Sequence, residues 1–511
     1  MRLTVVPGSN NKTYVAIQDI VTKEDMELHD VIGKVLSRTE FKPFLQGFNK
    51  TISFSYLFNE IFFPVQFWDD VKKQLEKISS TPITLINEDM MYNNDITRDH
   101  FDEFVESLQL PEDIDTVSED YVFQQDSAFL AIQNKIARID VSMAGGKTFI
   151  TYMYCRYLHE YIIPKNKKIL IVVPSKLLCQ QLQKDFGHYD SKYKQNPKEE
   201  GERRKLVVET IYSGATKYLD SDIICGTYQS LCNYDIEYFT DFSVVICDEV
   251  QGAKAYSIKN EIYTKTLNAE YFFGMSGTHP DYKTLDYLHI VSMFGKVVVT
   301  KTSAELIDAG IITPVKISAI KINYKEAGGF AQALKDQGIL GTEKYAMEKE
   351  WFHSNKDRTK LIGKLLNGIK GNSLIIVDTV EYCSQLKEYL VEFCPGIRFE
   401  IIHGKVNNRT DIIEEMRIST EFALIGTYGT MSTGVSIKNI ANIYFPDGGK
   451  SERRIRQTCG RGMRLFPDKE FCNVFDFQDM MPCCAFKNHA AERNRIYRKE
   501  QFPIKIINVE L

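Results

Sequence analysis

The 511-residue chain lacks any excess of positive charge: 63 Lys and Arg stand against 68 Asp and Glu, a net charge of −5. A uniformly basic coat for nucleic acid is therefore excluded, whereas a local basic groove is not. No apolar run approaches the ~18 residues of a membrane span. Residues 1–15 have no apolar core of signal-peptide length, so neither membrane nor export is expected. None of the eleven cysteines falls in a C-x-x-C pair, Cys483 and Cys484 are adjacent, and Cys225 and Cys247 sit inside apolar runs. They read as reduced thiols in a cytoplasm, packed as small core residues, rather than as disulfides or zinc ligands. Fixed short repeats and long low-complexity tracts are also missing. What is present is 43% hydrophobic and 26% charged residues, the profile of a soluble globular protein with material for several cores. At ~150 residues per domain the length predicts three or four domains.

The first ~90 residues suit a small α+β unit. Residues 51–54 and 83–86 are strand-like, and 68–78 has helical spacing, with Val71, Leu75 and Ile78 on one side. Residues 95–120 carry ten acids against one base, Arg98, and are split by Pro111, which predicts a short acidic helix followed by a linker. From about 121 the pattern changes, and apolar runs at 169–173, 223–225, 244–247 and 271–275 alternate with helical stretches. A second series runs through 374–377, 398–402, 423–425, 443–445 and 474–477. Such alternation means parallel sheets covered on both faces. Between the series, 304–309 reads as a helix stopped by Gly310.

Ser142-Met143-Ala144-Gly145-Gly146-Lys147-Thr148 follows a strand-like 138–141 and precedes a helical run from Phe149. Backbone N–H groups at a helix start cradle phosphates, Lys147 can neutralise the β and γ phosphates, and the Thr148 hydroxyl can ligate Mg²⁺. The pattern is incomplete, because Val141 stands at its first glycine position, and alone it reads as an ordinary strand-to-helix turn. About 100 residues on, Val244-Val245-Ile246-Cys247-Asp248-Glu249-Val250-Gln251 is an apolar strand ending in two acids. Asp248 is placed to hold Mg²⁺ through water, and Glu249 to polarise the attacking water. In the second series, Gln457-Thr458-Cys459-Gly460-Arg461-Gly462-Met463-Arg464 puts two arginines three apart, expected on one helix face. Arginine fingers of this kind stabilise charge in phosphoryl transfer.

These three elements, in this order, resemble the superfamily 2 helicases, and further segments extend the likeness over residues 120–480. Phe123-Gln124, with Gln124 23 residues before Lys147, resembles the Q motif, which reads adenine. Pro174-Ser175-Lys176 and Gly226-Thr227-Tyr228-Gln229 resemble the strand-contacting motifs Ia and Ib. Ser276-Gly277-Thr278 resembles motif III, which couples hydrolysis to DNA. His403-Gly404 with Arg409 resembles motif IVa, and Gly426-Thr427-Tyr428-Gly429-Thr430 through Ser432-Thr433-Gly434 resembles motif V. Two departures stand out: the acidic motif ends in Gln251 rather than His or Asp, and Ala144 replaces a glycine of the loop. The layout is most similar to the UvsW-type recombination helicases of tailed phages. The motif V run 428–439, Met293-Phe294-Gly295 followed by Glu305-Leu306, and the C-terminus from His489 to Leu511 carry that likeness. The N-terminal unit matches only loosely, with Phe48-Asn49-Lys50 where a Trp-Asp-Gly strand pair is expected.

The resemblance implies an α/β chain of two tandem RecA-like parallel-sheet domains, preceded by a small α+β domain and followed by a short helical segment. The expected boundaries are 1–112 (accessory, DNA-binding), 113–305 (ATP-binding), 306–480 (second motor domain) and 481–511 (basic C-terminal segment). ATP and Mg²⁺ are the implied cofactors. Phe123, Gln124, Ala144, Gly145, Gly146, Lys147, Thr148 and Gln251 would bind nucleotide, with Thr148 and Asp248 on the metal. Lys147, Asp248, Glu249, Gln457, Arg461 and Arg464 would act in catalysis. Pro174, Ser175, Lys176, Gly226, Thr227, Gln229, His403, Gly404, Thr427 and Thr430 would contact nucleic acid, and Ser276 and Thr278 would couple the two. Arg453, Arg454, Arg456, Arg493, Arg495, Arg498 and Lys499 cluster late in the chain and suit phosphate contacts, as do the bases within 184–205. The expected activity is ATP-driven remodelling of branched DNA in the host cytoplasm: branch migration, fork regression, and unwinding of D-loops or R-loops. Its partners would be DNA junctions, RNA–DNA hybrids and a single-strand-binding or recombination protein. An RNA helicase, a restriction motor and an ATP-independent clamp are the alternatives.

Overall fold

The computed structural model describes residues 2–511 except 8–12, 18–22, 42–48, 54–55, 58–60, 78–82, 87–91, 93–94, 115, 117, 196–202, 213–220, 251–258, 267, 278–282, 407, 432–436 and 482–484. Gln251, Thr278, Ile78 and the motif V residues Ser432, Thr433 and Gly434 therefore lie outside the described residues. The chain divides into two compact units, residues 1–141 with 146–301 and residues 302–511 with 142–145. Among the described residues, no helix is long and apolar enough to cross a membrane.

Each unit is built on a seven-stranded, wholly parallel sheet. In the first unit the strands are β1 (Ile136–Val141), β2 (Lys168–Val173), β3 (Val208–Ile211), β4 (Ile223–Thr227), β5 (Phe242–Cys247), β6 (Tyr271–Ser276) and β7 (Val297–Lys301). In the second they are β8 (Val315–Asn323), β9 (Asn372–Val377), β10 (Arg398–Ile402), β11 (Phe422–Thr427), β12 (Ile440–Phe445), β13 (Cys472–Asp479) and β14 (Ile504–Glu510). The edge-to-edge orders are β3-β4-β2-β5-β6-β1-β7 and β10-β11-β9-β12-β13-β8-β14, so each strand of the first sheet has its topological twin seven numbers later. These are the two RecA-like domains expected from the sequence.

The central strands β4, β5, β6 and β9 are buried along their whole length, as strands covered on both faces must be. The edge strands β3, β7, β10 and β14 are partly exposed, and β3, β7 and β14 are not among the runs read from the sequence. Strand β14 adds a finding: the C-terminal segment does not merely trail the second sheet, because β14 pairs in parallel with β8 over Ile317↔Ile504 to Asn323↔Glu510. The helix before it, Ala485–Lys499, buries Phe486, Ala490, Ile496 and Tyr497.

The N-terminal region forms a mixed sheet in the order Tyr56–Leu57, Ile61–Pro64, Thr13–Ile17, Arg2–Pro7, Thr84–Ile86, with helices Lys23–Leu36 and Trp68–Leu75. Its core is completed by a helix of the first seven-stranded-sheet domain. Leu288 and Val291 of helix Leu285–Phe294 join Ile32, Phe63, Phe67, Trp68 and Val71, while Ile290, Met293 and Phe294 of the same helix face the core of the first sheet. Tyr287 donates to Asp70 at 3.0 Å, and Lys296 pairs with Asp69 at 3.1 Å. Burying each such Leu or Val is worth roughly 1.5–3 kcal/mol, which is consistent with the N-terminal region grouping with the first seven-stranded sheet.

Candidate functional site

Open parallel sheets bind ligands beyond the carboxyl ends of their strands. At the end of β1 the chain turns through residues 142–146 into helix Lys147–Tyr157. Ala144 (φ 66°) and Gly146 (φ 77°) both adopt left-handed backbone, a geometry that gathers successive N–H groups into an anion nest. Gly146 is required twice over. Besides its φ, a Cβ there would stand 2.1 Å from Gln124 Nε2, so the Q-motif side chain lies directly on the loop. Gln124 is itself held by donating to Asp120 Oδ1 at 2.6 Å; burial pushes the Asp120 carboxyl above its ordinary range, and this bond opposes the shift. Phe123, half-buried beside Gln124, carries the Lys301 ammonium 5.5 Å from its ring centroid.

Lys147 heads the helix and donates from Nζ to the Val141 carbonyl at 3.0 Å. A Cβ on Gly277 would lie 3.8 Å from that Nζ, so Ser276-Gly277 at the end of β6 adjoins the loop lysine. Ser276 is buried, and Thr148 is half-buried in the first helical turn.

Strand β6 separates β1 from β5, which puts the acidic motif two strands, or roughly 10 Å, from the loop strand on the same edge. Asp248 N–H donates to Val172 O at 3.0 Å and Val250 N–H to Met275 O at 3.1 Å, so the chain beyond β5 is held from both sides. Between them Glu249 takes φ 54°, and its N–H donates to Asp248 Oδ1 at 2.9 Å. A non-glycine residue held left-handed costs of order 1 kcal/mol and marks a constrained position.

The donor set fits nucleotide and metal. The cradle excludes a Cβ at Gly146, Lys147 heads the helix that follows it, and a hydroxyl (Thr148) and a carboxylate (Asp248) stand at the strand edge. Mg²⁺ typically takes few protein ligands and fills its shell with water and phosphate oxygens. Among the described residues, no three His, Cys, Asp or Glu converge into a metal cage.

The strand-contact residues sit at the ends of the other strands. After β2, Ser175 caps helix Lys176–Tyr189 by accepting from Leu178 N–H at 3.4 Å, and exposed Lys176 lies 4.7 Å from the Tyr212 ring centroid. Pro174 is half-buried beside it. After β4, Gly226 is packed under Leu231, Thr227 Oγ1 donates to Ser230 Oγ at 3.0 Å, and Gln229 is exposed. The twin end of β11 repeats this arrangement. Gly426 is packed under Met431, and the Thr427 and Thr430 hydroxyls stand 3.2 Å apart. His403, after β10, accepts at Nδ1 from Lys405 N–H at 3.3 Å, and Gly404 is exposed.

One place went unread in the sequence. Asp378-Thr379, after β9, is the twin of the motif Ia position, and Thr379 caps helix Val380–Phe393 at 3.2 Å as Ser175 caps its own. Its signal was present, since an apolar run is followed at once by a capping threonine.

Two expectations are corrected. Arg461 and Arg464 do not share a helix: Glu452–Gly462 ends before Arg464, with Met463 as its C-cap, and close packing of Gly462 on Cys472 leaves no room there for a side chain. Gln457 and Arg461 are buried and Arg464 half-buried. Arg493, grouped above with phosphate-binding cations, is fully buried, donating to Asp476 at 2.8 Å and to the Gly449 and Phe477 carbonyls at 3.1 Å. Neighbouring cations are paired too: Arg495 with Glu492 at 2.7 Å, Lys499 with Glu452 at 3.0 Å, and Arg456 with Glu500 at 2.6 Å.

Residues 124–281 match the family described as type III restriction enzyme, res subunit, and residues 357–466 match the helicase conserved C-terminal domain; together they take in just over half the chain. The chain is 25% identical over 394 residues to the ATP-dependent DNA helicase uvsW of Enterobacteria phage T4, covering 75% of this chain and 73% of that protein. It is 23% identical over 269 residues to the putative ATP-dependent helicase IRC3 of Saccharomyces cerevisiae, covering 50% of this chain and 37% of that one. Among solved structures, a fragment of a putative HsdR subunit of a type I restriction enzyme from Vibrio vulnificus YJ016 superposes with a TM-score of 0.56 at 13% identity, covering 96% of this chain and 84% of that one; this likeness shows the fold alone. Together with the twin sheets, the phosphate loop and the acidic strand end, these matches show that the chain belongs to the superfamily 2 helicases.

Proposed function

We propose that this protein is an ATP-dependent DNA motor that remodels branched DNA by branch migration, fork regression and unwinding of D-loops or R-loops. The observation that supports the reading best is the division of labour along the two sheet edges. In the first unit the ends of β1, β5 and β6 carry the loop, the acid pair and Ser276-Gly277. In both units the ends of β2 and β4 and of their twins β9 and β11 carry capped helix starts and small polar residues suited to a sugar–phosphate backbone.

In this reading Lys147 neutralises the β and γ phosphates, Thr148 and Asp248 hold Mg²⁺, and Gln124 with Phe123 reads adenine. Glu249 polarises the attacking water. Arg461 and Arg464, with Gln457, stabilise the charge that develops as the bond to the γ-phosphate breaks. Bound Mg²⁺ supplies charge neutralisation to the phosphates. Residues 1–112 act as an accessory domain that moves with the ATP-binding domain. The similarity to the phage DNA helicase supports DNA as the substrate.

The test is strand separation and ATP turnover on matched forked DNA, four-way junctions and RNA–DNA hybrids, with Lys147→Ala as control. ATP-dependent remodelling of forks and junctions is expected. Activity confined to RNA duplexes would make the protein an RNA helicase, and tight binding without turnover would make it a clamp.

A further inference from the structure

The arginine-bearing turn of the second unit poses a bonding problem. A helix leaves its last carbonyls without intrahelical partners. Here the helix ends at Gly462, and the chain must still present Arg464 two residues later. The carbonyls of this turn are nevertheless satisfied. Met463 N–H donates to Gly460 O at 3.3 Å. Thr313 is buried and serves two of them: its N–H donates to Met463 O at 2.7 Å and its hydroxyl to Arg464 O at 3.1 Å. Lys469 serves the third, its Nζ donating to Gly462 O at 3.1 Å and also to Lys438 O at 2.9 Å. Lys438 belongs to the run that resembles motif V. The chain is shaped for this return: Asp468 takes φ 62° and Lys469 N–H closes a turn on Phe466 O at 3.1 Å.

We propose that Lys469 and Thr313 are positioning residues for ATP hydrolysis, pinning the main chain of residues 462–464 so that Arg461 and Arg464 keep one working geometry, with Lys469 also tying that turn to the end of motif V. This inference rests on the arginine-finger role proposed above. Neither residue touches nucleotide in this scheme; each acts through the carbonyls that it holds. An ammonium at a helix C-terminus also meets the negative end of the helix dipole.

The chemistry of Lys469 supplies a signature that packing alone would not. Burial draws its ammonium down from the ordinary lysine range to about 8; the Arg464 charge acts in the same direction, and Cys472 on β13 opposes it. The clamp is therefore charged at neutral pH and loses its charge as the pH rises through about 8. Hydrolysis is expected to fall along an alkaline limb centred there.

The experiment measures DNA-stimulated ATP hydrolysis, kcat and KM separately, from about pH 6.5 to about pH 10. Wild type, Lys469→Met, Lys469→Arg and Thr313→Val are compared, with thermal unfolding alongside. Lys469→Met is expected to lower kcat about 10-fold at neutral pH with KM changed less than about threefold, and to erase the alkaline limb. Lys469→Arg should recover most of kcat and carry the limb out of range, because arginine stays charged. Thr313→Val keeps the backbone bond and loses the hydroxyl, so a kcat loss of about threefold is expected. Wild-type kcat with an unmoved limb in Lys469→Met overturns the inference. Should that variant fail to fold, an unmoved limb in Lys469→Arg overturns it instead. A wild-type protein without DNA-stimulated hydrolysis overturns the underlying reading and this inference together; one that hydrolyses ATP while the variants match it overturns this inference alone.

Discussion

The two sheets share one topology and differ at one edge. In the first unit the ends of β1, β5 and β6 carry a glycine-bearing loop, an acid pair and Ser276-Gly277. In the second unit the twin ends of β8, β12 and β13 are closed by an internal cation. Arg358, fully buried, donates to both oxygens of Asp479 at 2.9 and 3.1 Å, to Tyr382 Oη at 3.1 Å and to the Pro446 carbonyl. Tyr324, just past β8, donates to the same Asp479. A guanidinium with its hydrogen bonds met from two strand ends and a helix, and a carboxylate partner held from a third strand end, ties these ends of the second sheet together. The first sheet spends the corresponding positions on left-handed backbone at Ala144, Gly146 and Glu249. Where the sheets agree, at the β4 and β11 ends, the shared feature is a pair of hydroxyls three residues apart. One scaffold thus carries two kinds of strand end, left-handed backbone in the first sheet and a buried, hydrogen-bonded ion pair in the second.

The sharpest break of this comparison is Lys147→Ala, expected to abolish ATP hydrolysis, a loss of at least ~10³ in turnover, while DNA binding persists. Near-normal turnover would remove the loop from the nucleotide site. Glu249→Gln comes next. Its amide keeps the shape but cannot polarise water, so turnover should fall ~10²–10⁴-fold with tight nucleotide binding retained. Unchanged turnover in a single-round assay would deny Glu249 the role of base.

Arg358→Met tests the other edge. It leaves Asp479 buried without its main partner, and denaturant unfolding should show a loss of ~3–5 kcal/mol. Glu249→Gln should leave stability nearly untouched in the same assay, so equal losses in the two variants would erase the distinction between a closed edge and an open one. Thr227→Val and Thr427→Val sharpen the shared feature. Each removes one hydroxyl of a pair and should cost ~1 kcal/mol, with DNA affinity reduced in both; a loss in only one would mean that the two turns are not equivalent. Ala144→Gly is the smallest expected change. Relieving left-handed backbone at a non-glycine residue should stabilise by ~0.5 kcal/mol, offset in part by the greater freedom of the unfolded chain. A clear destabilisation would indicate that the alanine methyl makes packing contacts of its own.

Legibility followed burial. The inner strands β2, β4, β5 and β6 and their twins were readable because strands covered on both faces need unbroken apolar runs. Strands β3, β7 and β14 lie at sheet edges and stay partly open to water, and β8 is interrupted by exposed Lys316. The loop and the acid pair were legible because each is a short contiguous string, whereas the arginine string was found without the turn that takes Arg464 off the helix. Among the cations after residue 450, Arg493 was misplaced. Arg493 sits four residues from Tyr497 on the inward face of its helix, and a linear string of charges does not tell which of them points inward. The same blindness hid Arg358 and Lys469, whose partners lie up to 121 residues away.

The sequence by itself determined the local devices: a glycine pair before Lys147, a carboxylate pair ending an apolar run, and capping residues at helix starts. These depend on neighbours within a few residues, through backbone conformation and capping hydrogen bonds. Tertiary structure alone decided that Gln124 lies on Gly146, that a motor helix completes the N-terminal core, that Arg358 and Arg493 are interior, and that Thr313 and Lys469 hold the arginine turn. The physical reason is that a buried charge or an orphaned carbonyl must find its partner wherever the fold brings one. Spacing along the chain carries no record of which residues the parallel strand order makes neighbours.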